Sequence, residues 1–183
     1  MGKDHPYESD VRVPLFVRGP GVPANATRLH PTTLVDLTAT IVELAGAAPA
    51  GPPLDGLSFA GALTAAAPAP EQWRNFSFSE HFGGTTTWWL LRRPLAQSSG
   101  ADAAETSFAW WCTNESEVFD LAADPWQLQN LAGASPRGDA VASASLPLAE
   151  ALSRCSGANC SSEQAAAPPP APGPLPCYKT SRV

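Results

Sequence analysis

Residues 2–22 read GKDHPYESDVRVPLFVRGPGV. Within them VRVPLFVRG, residues 11–19, is apolar and rich in β-branched side chains, which suit the pleated surface of a strand. The run does not alternate apolar with polar. It is nearly continuous, the pattern of a strand covered on both faces inside a parallel sheet. GPGVP then supplies a turn. Lys3 stands a few residues ahead of this strand. A lysine near a chain end is ordinarily solvated, but an ammonium held before a buried strand can also meet an anion as a point charge. Composition alone does not choose between these. A chain that opens on charge, the helix-hostile pair His5-Pro6 and a buried strand reads like the middle of a domain. The expectation is that the parent protein has residues upstream.

Working outward, residues 30–46, HPTTLVDLTATIVELAG, place Leu34, Leu37, Ile41 and Leu44 at helical spacing. Thr32 or Thr33 can cap that helix, and Gly46 can end it in the left-handed conformation. PLDGLSFAGALTAA, residues 53–66, is a loop followed by one short helix. Four short strand patterns follow in RNFSFSEHF, TTTWWLLRRPL, SFAWWCTN and SEVFDLAADP, which together predict a small antiparallel sheet. DPWQLQNLAG begins with a turn, and VASASLPLAEALSRC predicts a helix interrupted by Pro147. After residue 160 the apolar content falls away into a Pro/Ala-rich tail, which reads as disordered.

The chain has 183 residues, with 11 Lys and Arg against 17 Asp and Glu and a net charge of -6. That balance argues against a nucleic-acid binder, which needs a basic face for phosphates. Nothing approaches the roughly 18 consecutive apolar residues of a membrane span. No signal peptide is visible in the charged opening. Four cysteines (Cys112, Cys155, Cys160 and Cys177) and four N-x-S/T sequons (Asn25, Asn75, Asn114 and Asn159) nevertheless favour an oxidising compartment of the secretory pathway, extracellular, lysosomal or vacuolar. Four cysteines allow three connectivities. The spacing of Cys155 and Cys160 suits a small structural loop, since the redox spacing is Cys-x-x-Cys. His5, His30 and His81 are far apart and lack the spacing of a zinc site. There is no P-loop, dinucleotide-binding glycine motif or G-x-S-x-G elbow.

The ordered motifs carry a resemblance. Lys3, Tyr7, Glu8, Asp10, Val11, Arg12, Val13, Pro14, Leu15 and Val17-Arg18-Gly19-Pro20-Gly21 closely resemble the sulfatase pattern Lys-x-x-x-Tyr-Glu-x-Asp-(Ile/Val)-(Lys/Arg)-Val-Pro-Leu-x-Val-Arg-Gly-Pro-Gly. DLTATIVELAG (residues 36–46), DGLSF (55–59), EVFDLAADPWQLQNLA (117–132) and CSGANC (155–160) match four later motifs of that family in order. The N-acetylglucosamine-6-sulfatase and algal or plant-type arylsulfatase branches are the most similar.

The resemblance implies an α/β fold, the C-terminal part of an alkaline-phosphatase-like sulfatase, with a small antiparallel-sheet subdomain of α+β type. Residues 1–65 would end the large α/β domain, 66–160 would form the subdomain, and 161–183 the tail. It implies that Lys3 contacts the sulfate and that Cys155 pairs with Cys160, leaving the partners of Cys112 and Cys177 open. Asn25, Asn75 and Asn114 are the candidate glycosylation sites. The family's formylglycine arises from Cys-x-Pro-x-Arg, which this chain lacks. The motifs that bind calcium in the family are likewise absent. The expectation is therefore a sulfatase portion whose parent hydrolyses sulfate esters of a small molecule or glycan with calcium, and which is inactive alone. The competing expectation is a non-catalytic secreted glycoprotein module that binds a sulfated glycan or a partner.

Overall fold

The computed structural model describes residues 4–28, 30–48, 51–64, 74–83, 86–94 and 105–155. Strands β1 (Ser77–His81), β2 (Trp88–Pro94), β3 (Glu105–Trp111) and β4 (Ser116–Asp120) form one antiparallel sheet in the order β1-β2-β3-β4. This is the sheet expected from the four short strand patterns. The register sets Phe78 opposite Leu91, Leu91 opposite Phe108, and Phe108 opposite Val118. Because side chains alternate along a strand, the Trp88-Trp89-Leu90-Leu91 run of β2 sends apolar groups to both faces.

One face buries Phe76, Trp89, Leu91, Phe108, Trp110 and Val118 against Leu148, Ala149 and Leu152 of helix α4 (Pro136–Leu152). On the other, Trp88, Leu90 and Ala109 are covered in part by Val11, from the short helix α1 (Glu8–Val11). A sheet dressed on both sides explains why β2 reads as dense rather than alternating.

Helix α4 begins earlier than its apolar pattern suggests and is not interrupted at Pro147, as the sequence had implied. Ser135 caps it, its hydroxyl accepting from the Gly138 N–H at 3.0 Å. Pro136 occupies the first turn, where its missing N–H leaves nothing unpaired. Pro147 lies inside the helix with its ring exposed, so the disrupted turn faces water. The helix meets the preceding loop closely at Gly138, where an added Cβ would lie 2.0 Å from the Leu131 carbonyl oxygen. Gly138→Ala must therefore displace backbone, and a loss of about 1–3 kcal/mol is expected in urea unfolding.

Helix α2 (Leu34–Leu44) forms as predicted, with Gly46 in the left-handed conformation at φ 63°. It packs on helix α3 (Ala60–Thr64), and the residues that it buries are small or polar: Asp36, Ala39 and Thr40. Asp36 and Thr40 are fully buried, and Ala39 lies beside them. Asp36 accepts from the Thr33 N–H at 2.7 Å and the Leu57 N–H at 2.8 Å, and pairs with the buried Arg74. Thr40 donates to the Asp36 carbonyl at 2.7 Å and accepts from the Phe59 N–H at 3.0 Å. Most of the predicted stripe faces outward, with Leu34 75% exposed, Ile41 57% and Leu44 58%, while Leu37 is half-buried.

The strand expected over residues 11–19 is not formed. Val11 ends α1, and residues 12–19 belong to no element, with Phe16 91% exposed. A strand exists only through a hydrogen-bonded neighbour, and among the described residues none lies beside this segment.

Candidate functional site

The Tyr7-Glu8 dipeptide is the part of the opening motif that the structure places. Lys3 lies outside the described residues, as does Cys160. Pro6 is buried, and the chain then turns into α1 at Glu8. This segment is tied to the sheet and to the loop that follows β4 by five contacts. The Trp88 indole N–H donates to the Asp4 carbonyl at 2.8 Å. The Tyr7 hydroxyl donates to Glu117 Oε1 at 3.0 Å, while the Trp111 indole donates to Glu117 Oε2 at 3.1 Å. The Tyr7 ring meets Phe119 edge-on, with centroids 6.1 Å apart, and stacks on His5. The Glu8 N–H donates to Gln127 Oε1 at 2.6 Å, and the Glu8 carboxylate lies 3.0 Å from Arg92 Nε.

The electrostatics follow from this packing. Burial, then the charge and the hydrogen bond of Glu117, push the Tyr7 phenol up to about 12, so it remains a donor at any physiological pH. Burial also raises the Glu8 carboxyl above the usual range, against the pull of Arg92 and Arg12 and helped by the nearby Glu105. Arg92 is shared: its Nη2 reaches Glu105 Oε2 at 2.7 Å. An Arg held between two carboxylates lets Glu8 stay mostly buried at a tolerable desolvation cost.

Glu117, Arg92, Gln127 and Trp88 were not singled out from the sequence as site residues. Gln127 carried one signal, its place in DPWQLQN directly after the turn of the late motif. No sequence rule says that its amide crosses to residue 8, because that contact spans 119 positions.

The remaining candidates scatter. Asn25, Asn75 and Asn114 are all exposed, and Asn25 and Asn114 sit at positive φ of 54° and 71°. Such geometry presents a sequon asparagine at a turn. Cys112 and Cys155 are both disulfide-bonded; the pairing of Cys155 with Cys160 involves a position outside the described residues. Among the described residues no three His, Cys, Asp or Glu side chains converge to hold a metal ion. No described helix is long and apolar enough to cross a membrane.

No family model matches the chain. Over 183 aligned residues it is 34% identical to an arylsulfatase of Chlamydomonas reinhardtii, covering 87% of this chain and 28% of that protein. The chain is similar to sulfatases over most of its own length. An arylsulfatase of Volvox carteri is 34% identical over 155 residues, 71% of this chain and 23% of the relative. N-acetylglucosamine-6-sulfatase of Bos taurus is 30% identical over 154 residues, 69% of this chain and 27% of the relative. The sulfatase-like sequence thus spans about a quarter of the length of these curated relatives, and it matches their C-terminal-type portion. A solved protein in complex with its substrate D-glucosamine-2-N,6-O-disulfate superimposes on 63% of this chain and 22% of its own, at 18% identity and a TM-score of 0.46, too slight a likeness to argue from.

Proposed function

We propose that this chain is the C-terminal part of a sulfatase that hydrolyses sulfate esters of the aryl or N-acetylglucosamine-6-sulfate type, and that it is catalytically silent alone. The observation that supports this most is the alignment with an algal arylsulfatase over 87% of the chain. In this reading Lys3 brings an ammonium to the sulfate, offsetting charge that builds up on the sulfuryl oxygens as the ester bond breaks. The formylglycine nucleophile and the calcium ligands belong to a part of the parent enzyme that this chain does not span. A lone cation can bind a sulfate ester weakly but has nothing with which to open it.

The same reading places the chain in the secretory pathway, glycosylated at Asn25, Asn75 and Asn114, with Cys155 bonded to Cys160. Exposed sequons and the disulfide-bonded state of Cys112 and Cys155 support it.

The test is to secrete residues 1–183 from a host lacking sulfatase and assay an aryl sulfate with and without calcium. Hydrolysis at the buffer rate is expected. Turnover above the blank would overturn the silent-portion reading. In the same material, peptide N-glycosidase should lower the apparent mass; no shift would remove the secretory assignment.

A further inference from the structure

Gln127 combines three features that the proposed function leaves unexplained. Its backbone is left-handed, φ 54°, a region that costs an ordinary side chain energy and suits glycine or asparagine. Its side chain is nevertheless buried, with 9% of the residue exposed, although its neighbours Trp126 and Leu128 are 81% and 80% exposed. Both ends of its amide are engaged in opposite directions. Oε1 accepts from the Glu8 N–H at 2.6 Å, and Nε2 donates to Ser107 Oγ, on the inner strand β3, at 3.3 Å. Ser107 is itself buried. A turn that needed only its backbone shape would be met by a residue without this reach. The strain is kept where the side chain bridges two separate parts of the chain.

We propose that Gln127 is a positioning residue: its amide clamps the Tyr7-Glu8 turn to strand β3, fixing the segment that adjoins Lys3. The importance of that segment rests on the proposed role of Lys3; the clamp does not. The Trp88–Asp4, Tyr7–Glu117 and Glu8–Arg92 contacts then close only when the amide has set the turn, because all three reach the same short segment. Loss of the amide therefore loosens residues 4–11 as a unit, while β2, β3 and β4 keep their own ladders and the core beneath α4.

The experiment uses the full chain, labelled with nitrogen-15. Gln127→Ala removes the bridge. Gln127→Asn keeps an amide and a residue at ease in the left-handed region, but is one carbon too short to span both partners. Both variants should lower amide protection at residues 4–11 by about tenfold or more and leave β2 and β3 within about twofold. Both should also move the Trp88 indole resonance, which reports the bond to Asp4 and lies apart from the turn. A role confined to turn shape would leave Gln127→Asn indistinguishable from the parent. An unmoved Trp88 indole with residues 4–11 still protected in Gln127→Asn overturns the proposal. If Gln127→Ala fails to fold, Gln127→Asn and Ser107→Ala give the same readout, the latter expected to shift it in the same direction by less. Inorganic sulfate titrated into the parent chain separates the two readings. A clamp that responds to substitution, beside a Lys3 signal that ignores sulfate, supports the clamp and counts against the role of Lys3.

Discussion

Arg74→Ala is expected to destabilise the protein by about 3–5 kcal/mol, because it strands a carboxylate. Asp36 is fully buried, and Arg74 is the cation paired with it. Its remaining partners, the Thr33 and Leu57 N–H groups and the Thr33 hydroxyl, are neutral dipoles and cannot replace a charge. The damage should concentrate where Asp36 works, at the start of α2 and at the 55–59 loop that carries Leu57 and Phe59. Adding Asp36→Asn to Arg74→Ala removes the stranded charge and should recover part of the loss. Urea unfolding of the two variants checks this. A loss below about 1 kcal/mol for Arg74→Ala would mean that the pair behaves like an exposed one.

Trp89→Ala should cost a similar amount, about 3–5 kcal/mol, by a different route. Trp89 is 2% exposed and lies against Trp110, with ring centroids 5.0 Å apart, under Leu148, Ala149 and Leu152 of α4. Removing the indole leaves a cavity between sheet and helix that neither can close without breaking strand register. Trp126→Ala is the control: at 81% exposure it should change stability by no more than about 0.5 kcal/mol. Thermal melts of both variants, with near-ultraviolet circular dichroism to follow the Trp89–Trp110 pair, distinguish the cavity from a general loss of aromatic content.

The two regions differ in how much of them the sequence disclosed. The sheet was legible because its information is local. WWLLRR and SFAWW are dense in strand formers, and the turn at Asn114 separates β3 from β4 without ambiguity. Helix α2 was equally legible in its bounds, from Thr33 to Gly46, but its orientation was not. Periodicity marks which residues share a face, yet says nothing about what that face meets, and here Asp36 and Thr40 are buried while Leu34, Ile41 and Leu44 are exposed. The segment over residues 12–19 failed for a related reason. Its strand propensity is genuine, but a ladder needs a neighbour, and none of the described strands pairs with it. Pro147 was over-read as a break, since a proline on the wet side of a helix held by Leu148, Ala149 and Leu152 is tolerated. The anchoring of Tyr7 and Glu8 was invisible for a third reason. Each contact joins the first ten residues to positions 88–127, and pairings so distant leave no periodic trace.

The outward leucines of α2 and the uncovered run from Val13 to Val17 also have a cellular meaning. Sticky, water-facing surface of this kind is what chaperones retain and what proteases are directed to. With Val13, Leu15, Phe16, Leu34, Val35, Ile41 and Leu44 all more than half exposed, the abundance of residues 1–183 expressed alone in a cell should be set by how quickly that surface is covered rather than by how strongly the sheet is held. Its half-life would then respond to polar substitutions at Phe16 and Ile41, which touch neither the sheet core nor the Gln127 clamp, and such substitutions should lengthen it.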